Sequence, residues 1–194
     1  FTKIDFLPSV PQASKIGLLG GVAVKYISQN HLGLVTEVNY LQRGWKEEFD
    51  PESDFSYSRT LNYIEIPFMT HIYFGNRMRF IVNLGPQISY LLSENHDMSQ
   101  ALADDIEARK EGYPDSKIGY QYNSISEMQK FDYGLLGGVG IEIQTAIGNF
   151  DIEGRYYFGL GDLFTSRRSE ETYYFGRSAH RLIEGKLTYY IKIR

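Results

Sequence analysis

The chain has 194 residues, 42% of them hydrophobic and 15% aromatic, with a formal net charge of −4 and no cysteine. Its length predicts one domain over residues 1–194. The lack of cysteine excludes a disulfide scaffold, and the net negative charge gives no general attraction to nucleic acid. Mean hydropathy is −0.34, and no apolar stretch of about 18 residues predicts a membrane-spanning helix. A transmembrane β-barrel is still allowed, because its strands alternate in polarity.

Alternation of apolar with polar residues predicts seven β-strands along the chain. In the sixth of them, for example, Phe150, Ile152 and Tyr156 share one face, while Asp151 and Glu153 share the other. The seven predicted strands, in chain order, are 15–27, 31–45, 62–74, 77–92, 131–144, 149–160 and 183–193.

The connections between these strands alternate in length. The short ones carry residues typical of tight hairpins and cover 28–30, 75–76 and 146–148. The long ones cover 46–61, 93–130 and 161–179. Transmembrane barrels of the bacterial outer membrane have this layout, with short periplasmic turns and long extracellular loops. A soluble lipocalin-like barrel is the alternative, but it gives no reason for such asymmetry.

The direction of the strands predicts a further strand at the N-terminus. If the last strand descends toward the short turns, the strand at 15–27 descends too, and an ascending strand must precede it. Residues 1–6 can supply only its upper end, before a loop at 7–14. Because outer-membrane barrels have even strand numbers, we expect an eight-stranded antiparallel up-and-down transmembrane β-barrel. Most of the first strand, and a signal peptide, would then lie upstream of residue 1.

The two faces of the strands indicate which side meets lipid. The apolar faces are almost uninterrupted and carry aromatic residues near the strand ends, as in the girdles of membrane barrels: Tyr26, Tyr40, Phe74, Tyr90, Tyr133, Tyr156, Phe158 and Tyr189. The polar faces would fill a narrow lumen, where charges must pair. The predicted lumen charge network is Glu37, Glu65, Arg79, Glu142, Asp151, Glu153, Arg155, Glu184 and Lys186.

The long loops are the best candidates for a contact surface. Residues 93–130 form a loop that is long for a connecting segment, and 99–111 within it predict a short amphipathic helix. Tyrosine and arginine are typical of binding surfaces. The alternative is that the loop aromatics pack on each other. The candidate contact residues are Tyr113, Tyr120, Tyr122, Phe164, Arg167, Arg168, Tyr173, Tyr174 and Phe175.

The sequence predicts no catalytic, cofactor or metal site. It contains no Gly-x-Ser-x-Gly elbow, phosphate-binding loop or His-Glu-x-x-His motif. His71 shares a polar face with Glu65, but a lumen histidine that only donates or accepts hydrogen bonds is the simpler interpretation. The acidic residues at positions 50, 52 and 54 lack the glycine and closing glutamate of a calcium loop. We therefore expect a protein that is not an enzyme and needs no cofactor.

Five motifs follow one another in order along the chain, at residues 33–44, 61–68, 84–86, 132–134 with 138–140, and 152–160. Together they resemble the PorT-like outer-membrane β-barrel family of Gram-negative bacteria, and the resemblance covers nearly every strand from Lys15 onward. It implies an outer-membrane barrel and brings no catalytic residues. One departure is the terminal Arg194, where many outer-membrane proteins have an aromatic residue.

Three functions remain open at this stage. The first is a non-enzymatic structural or partner-binding subunit in outer-membrane lipid, whose partner could belong to a secretion or assembly machine. The second is a narrow pore for ions or small solutes. The third, a hydrolase, would require a histidine and a carboxylate that converge near the outer rim.

Overall fold

The computed structural model describes residues 1–112, 120–122, 128–164 and 175–192. Within these ranges the chain forms one antiparallel sheet, one α-helix (α1, Gln100–Gly112) and a 3₁₀ helix (Tyr120–Tyr122). The sheet contains the strands β1 (Thr2–Leu7), β2 (Gln12–Ala13), β3 (Leu19–Gln29), β4 (Leu32–Glu47), β5 (Tyr57–Gly75), β6 (Met78–Met98), β7 (Phe131–Gln144), β8 (Asn149–Asp162) and β9 (Arg177–Tyr190).

The strands follow one another in the sheet in chain order from β3 to β9, and each neighbouring pair is antiparallel. The first strand, β1, pairs with the first half of β9. The two-residue strand β2 pairs with the far end of β4, beyond the part of β4 that pairs with β3. This up-and-down order is the expected one, because short connections join strands that are adjacent in space.

The lengths of the connections differ between the two ends of the sheet. Residues 30–31, 76–77 and 145–148 form short turns at one end, and 48–56, 99–130 and 163–176 are long connections at the other, which we call the outer end. Each of the three short turns has a residue of positive φ in it or directly beside it: His31 (φ 68°), Gly75 (φ 110°) and Gly148 (φ 155°). A Cβ on Gly75 would lie 2.4 Å from the carbonyl oxygen of Met78, so glycine is required there.

The sheet differs from the expected eight-stranded closed barrel, because the described residues contain nine strands and no continuous closing ladder. At the outer end, β1 is joined to the far edge of the sheet by a bridge from Thr2 to Lys15. The hydroxyl of Thr2 also donates to the carbonyl oxygen of Gly44 at 2.8 Å. Nearer the short turns, no strand from the described part of the chain lies between β3 and the second half of β9, and these two flank a cavity of about 950 Å³.

Several strands continue farther toward the outer end than the sequence pattern predicts. β5 begins at Tyr57 instead of residue 62, β6 ends at Met98 instead of residue 92, and β9 begins at Arg177 instead of residue 183. Polar residues such as Ser58 and Asp97 pair across these extensions. Toward the outer end, the backbone pairing of these strands therefore continues beyond the residues that alternate between apolar and polar.

The helix predicted at 99–111 is confirmed as α1, which buries Leu102 and Ile106. No α-helix in the described part of the chain is long and apolar enough to cross a membrane.

The two faces of the sheet have opposite polarity. Large apolar side chains cover the outside: Val139 is 55% exposed, Leu187 70%, and the predicted girdle aromatics between 38% and 64%. On the inside, charged and amide side chains are buried, among them Glu37, Arg43 and Glu65, each 2% exposed or less. Such an arrangement is the inverse of a soluble barrel and matches a barrel whose outside faces lipid.

Candidate functional site

Charged side chains meet inside the sheet in three clusters, which succeed one another from the short turns to the outer end. The alternation of each strand sends every second side chain inward, and the antiparallel register brings those side chains to the same height. Three cations anchor the clusters: Lys25 on β3, Arg155 on β8 and Arg43 on β4.

The lower cluster lies beside the short turns. Lys25 Nζ donates to Glu142 Oε2 at 2.5 Å and to Asp151 Oδ2 at 2.6 Å, and Arg79 Nη1 donates to Glu142 Oε1 at 3.1 Å. Glu142 and Asp151 are cross-strand partners of β7 and β8. Two carboxylates in direct register repel each other, so the lysine between them is what makes this pairing favourable.

The middle cluster contains a bidentate ion pair. Arg155 donates to both oxygens of Glu37 at 2.9 and 2.8 Å and to Glu153 Oε2 at 2.7 Å, and Lys186 Nζ also donates to Glu37. A Cβ on the inward-facing Gly138 would lie 2.3 Å from Glu153 Oε1. The glycine therefore leaves the space that this carboxylate occupies.

The outer cluster surrounds Arg43, whose side chain is completely buried. Its guanidinium donates to Asp132 Oδ2 at 2.5 Å and to Glu65 Oε2 at 3.1 Å. It also lies 4.5 Å from the ring centre of Tyr63 and 4.9 Å from that of Tyr157. The paired charges and the two flanking rings offset the cost of burying this cation.

Glu184 is the exception among the buried lumen charges. It is 7% exposed, and neither of its carboxylate oxygens has a hydrogen-bond partner among the described residues. Arg155 is its cross-strand neighbour on β8. On its other side lies the opening between β9 and β3, because β1 pairs with β9 only as far as Leu182.

All nine residues of the predicted lumen charge network point into the sheet, and eight of them make the hydrogen bonds and ion pairs of the three clusters. The side chains of Arg79 (20% exposed) and Lys186 (11%) are the most open ion-pair partners in these clusters. Lys25, Arg43 and Asp132 belong to the clusters although they are not among the nine predicted residues. Each falls on a polar face of its strand, so consistent counting of the alternation could have found them.

An aromatic plug fills the outer end above the Arg43 cluster. Phe6 from β1 packs its ring 5.5 Å from that of Trp45 on β4 and 4.8 Å from that of Phe175. The buried members of the plug are Ile4, Phe6, Trp45, Tyr57, Leu61, Tyr63, Leu91, Leu102, Ile106, Met128, Leu163, Phe164 and Phe175. α1 and the connection between β8 and β9 thus contribute side chains to one core with the strands.

Hydrogen bonds at the edge of the plug attach the 3₁₀ helix, within the long connection between β6 and β7, to the neighbouring strands. Tyr122 Oη donates to Glu47 Oε2 at 2.5 Å, and Arg59 donates to Glu94 Oε2 at 2.6 Å and to the backbone carbonyl of Gln121 at 3.1 Å. Burial raises the pKa of Glu47 above its usual range, and burial together with Glu47 raises the pKa of Tyr122. These bonds fasten the 3₁₀ helix to the ends of β4 and β5.

The predicted contact surface is wrong for two of its residues. Phe164 is 0% exposed and Phe175 5% exposed, since both rings pack into the aromatic plug. Tyr122 is half-buried against the same plug, and Tyr120 belongs to the same 3₁₀ helix. The remaining predicted residues lie outside the described residues: Tyr113, Arg167, Arg168, Tyr173 and Tyr174.

The histidine considered for acid–base chemistry has a structural partner. His71 is fully buried and its Nδ1 lies 2.8 Å from Asn83 Oδ1. Asn83 in turn donates to Glu153 at 2.8 Å, so His71 extends the middle cluster. Within the described ranges, no three His, Asp or Glu residues are arranged to hold a metal ion.

Replacing Arg43 by methionine should destabilise the fold by about 3–5 kcal/mol, because it leaves Glu65 and Asp132 buried without their cation. Arg79→Gln is the matched control: its partner Glu142 keeps Lys25, so the expected loss is about 1 kcal/mol. Urea unfolding in vesicles of one lipid composition measures both. Equal, small losses for the two variants would show that the Arg43 pairs contribute no net stability.

The comparisons with known proteins agree with this architecture. A family model described as "Outer membrane protein beta-barrel domain" matches residues 6–165. A search of curated proteins gave no match. The family match points to the outer membrane as the location of the protein, which fits the apolar outer face and the charged inner face of the sheet. By this match over most of its length, the chain belongs to the outer-membrane β-barrel domain family.

Proposed function

We propose that this chain is a small outer-membrane barrel with a packed polar lumen, and that it acts as a non-enzymatic structural or partner-binding subunit. The observation that carries the proposal is the filling of the interior. The three charge clusters occupy successive heights of the lumen, and the aromatic plug covers the outer end. Eight strands enclose a space only just large enough for side chains.

The proposal includes an eight-stranded closed barrel. β3 and β9 both descend toward the short turns, so they cannot form an antiparallel ladder with each other, and closure of the barrel would need one ascending strand between them. The backbones of Phe1 and Ile183 exchange two hydrogen bonds of 2.7 and 2.9 Å. A strand that continues β1 from Phe1 would extend this pairing along β9 to Tyr190. Unpaired edges in lipid are costly, because no water satisfies their backbone groups.

A designed extension tests this closure. Seven residues of alternating apolar and polar character, added before Phe1, reach the height of Tyr190, which is seven positions beyond Ile183. We expect slower amide hydrogen exchange in β3 and in the second half of β9. The control extension has the same length with proline at alternate positions, which cannot donate to a ladder. If both extensions leave exchange unchanged, the opening does not accept an ascending strand.

The filled lumen favours a subunit over the alternative, a narrow pore. An ion crossing the barrel would have to displace the Arg43 and Arg155 ion pairs, and removing one partner of a buried pair costs several kcal/mol. It would also have to pass the plug around Trp45. In the PorT-like family that the sequence resembles, barrels are often of unassigned role. We propose that the partner is another outer-membrane protein, in a secretion or assembly machine.

Planar-bilayer recordings distinguish the two functions. The purified protein should give no reproducible single-channel steps at protein amounts at which a porin control gives many. Lys25→Glu supplies the second arm, because reversing this lumen charge would alter the ion selectivity of any current that flows through the barrel. Reproducible steps whose selectivity changes in this variant would overturn the packed-lumen proposal and establish the pore.

Purification from native outer membranes in mild detergent tests the partner. We expect the protein to co-purify with a specific outer-membrane or secretion protein at a constant ratio. A variant with two exposed acidic residues of α1 reversed, Glu107→Lys and Glu111→Lys, probes whether the outer surface makes that contact. Migration of the wild-type protein alone, in several mild detergents, would contradict a partner-binding role.

A further inference from the structure

The outside of the sheet carries a cluster of charges at one place on its otherwise apolar surface. Lys3 and Arg181 are cross-strand partners of β1 and β9, and Arg177 lies four residues farther out on β9, opposite Leu7. Asp5 lies between them. These four residues, which we call the outer basic patch, carry three positive charges and one negative charge, a net charge of +2.

The height of the patch is that of the upper aromatic girdle. On one side, Arg181 pairs with Phe158 of β8, which is exposed along with Tyr156 and Leu160. Two positions below Arg181 on the same strand, Ile183 is 59% exposed. The outward face of β9 therefore changes from apolar to cationic at the level where aromatic girdles mark the boundary between hydrocarbon and headgroups.

The guanidiniums of the patch are held in place before any ligand binds. Arg181 donates to the carbonyl oxygens of Gly159 and His180 at 2.9 and 2.8 Å, and its guanidinium lies 3.9 Å from the ring centre of Phe158. One oxygen of Asp5 is shared by Arg181 at 3.1 Å and Arg177 at 3.2 Å. A single carboxylate thus orients two cations without neutralising both.

Lys3 differs from the two arginines. It is exposed, and its ammonium has no ion pair or hydrogen bond among residues 1–112, 120–122, 128–164 and 175–192. A groove of about 480 Å³ opens beside it, lined by Lys3, Asp5, Tyr156 and Arg181 and by residues 9–12. The groove therefore combines a free ammonium, the oriented guanidinium of Arg181, a residue that is 8% exposed, and a tyrosine ring on the lipid-facing surface.

We infer that the outer basic patch binds the phosphate of an anionic lipid in the membrane leaflet on the long-loop side. Guanidinium and ammonium groups are the usual phosphate ligands of proteins, and cations at a membrane surface attract anionic headgroups by about 1 kcal/mol each. The adjoining apolar surface of Tyr156, Phe158 and Ile183 accommodates the acyl chains of the same molecule. A soluble anion would use only the charges, so this surface specifies a lipid.

The inference is independent of the lumen and of any protein partner, so it goes beyond the proposed function. A purely structural role, in which Asp5 ties β1 to β9, accounts for Arg177 and Arg181 but leaves Lys3 and the groove unused.

Native mass spectrometry tests the site with phosphatidylglycerol as the probe and phosphatidylcholine as the neutral reference. The protein, transferred from mixed micelles of the two lipids, should retain phosphatidylglycerol about tenfold in preference to phosphatidylcholine. In Lys3→Gln/Arg177→Gln that preference should fall at least fivefold, since two of the three cations are gone. Arg181 is kept in this variant, because its backbone contacts hold β9.

The control variant removes two positive charges elsewhere. Lys46→Gln/Arg109→Gln alters an exposed cation at the end of β4 and one on α1, and it should keep the wild-type preference. An equal loss of lipid preference in both double variants would mean that net charge alone causes the effect, and would overturn the site.

Inorganic phosphate at matched concentration should not displace the lipid. Efficient displacement would mean that the site takes a soluble anion, and would overturn the assignment to lipid. Urea unfolding in neutral lipid verifies that both variants fold.

Discussion

Burial of opposite charges in a narrow lumen is the constraint on which this structure depends. A charge taken out of water costs several kcal/mol unless an opposite charge and further hydrogen bonds lie close by. Arg43 meets this condition through Glu65 and Asp132, and Arg155 meets it through Glu37 and Glu153. Apart from Arg155–Glu153, which lies within β8, these pairs join different strands, so the electrostatic requirement also fixes how the strands are arranged around the interior.

The same constraint explains the small residues on the inward face. Gly138 sits where a side chain would collide with the Glu153 carboxylate, and a Cβ on Gly134 would lie 2.8 Å from the Tyr157 hydroxyl. Tyr157 donates to Asp132 at 2.9 Å, so its position matters to the Arg43 cluster. Because these glycines of β7 have no side chain, the long side chains of Glu153 and Tyr157 on β8 occupy the space beside them.

The outer end follows a different physical rule. There the strands extend beyond the apolar belt, and the interior changes from ion pairs to an aromatic core around Trp45 and Phe164. Hydrophobic burial stabilises this core in the way it stabilises a soluble domain. The plug therefore depends on water outside it, whereas the apolar belt of the strands depends on lipid. The chain is therefore stabilised by water at its outer end and by lipid around its strands, and the girdle of tyrosines and phenylalanines lies at the boundary between the two.

The alternation of residues by itself determined the strands, their faces and the layout of short and long connections, because the period of two in a β-strand is a local property of the backbone. It also placed residues such as Glu37 and Arg155 on the same side of the sheet.

Only the tertiary structure decided which charges pair. Lys25 meets Glu142 and Asp151, and Arg43 meets Asp132, although these strands are far apart in the sequence. The register of the strands brings them together, and the composition of the chain does not determine that register. Tertiary packing likewise turned Phe164 and Phe175 inward, since a loop aromatic is exposed or buried according to what its loop folds against. The patch of Lys3, Arg177 and Arg181 exists for the same reason, as it joins the two ends of the chain.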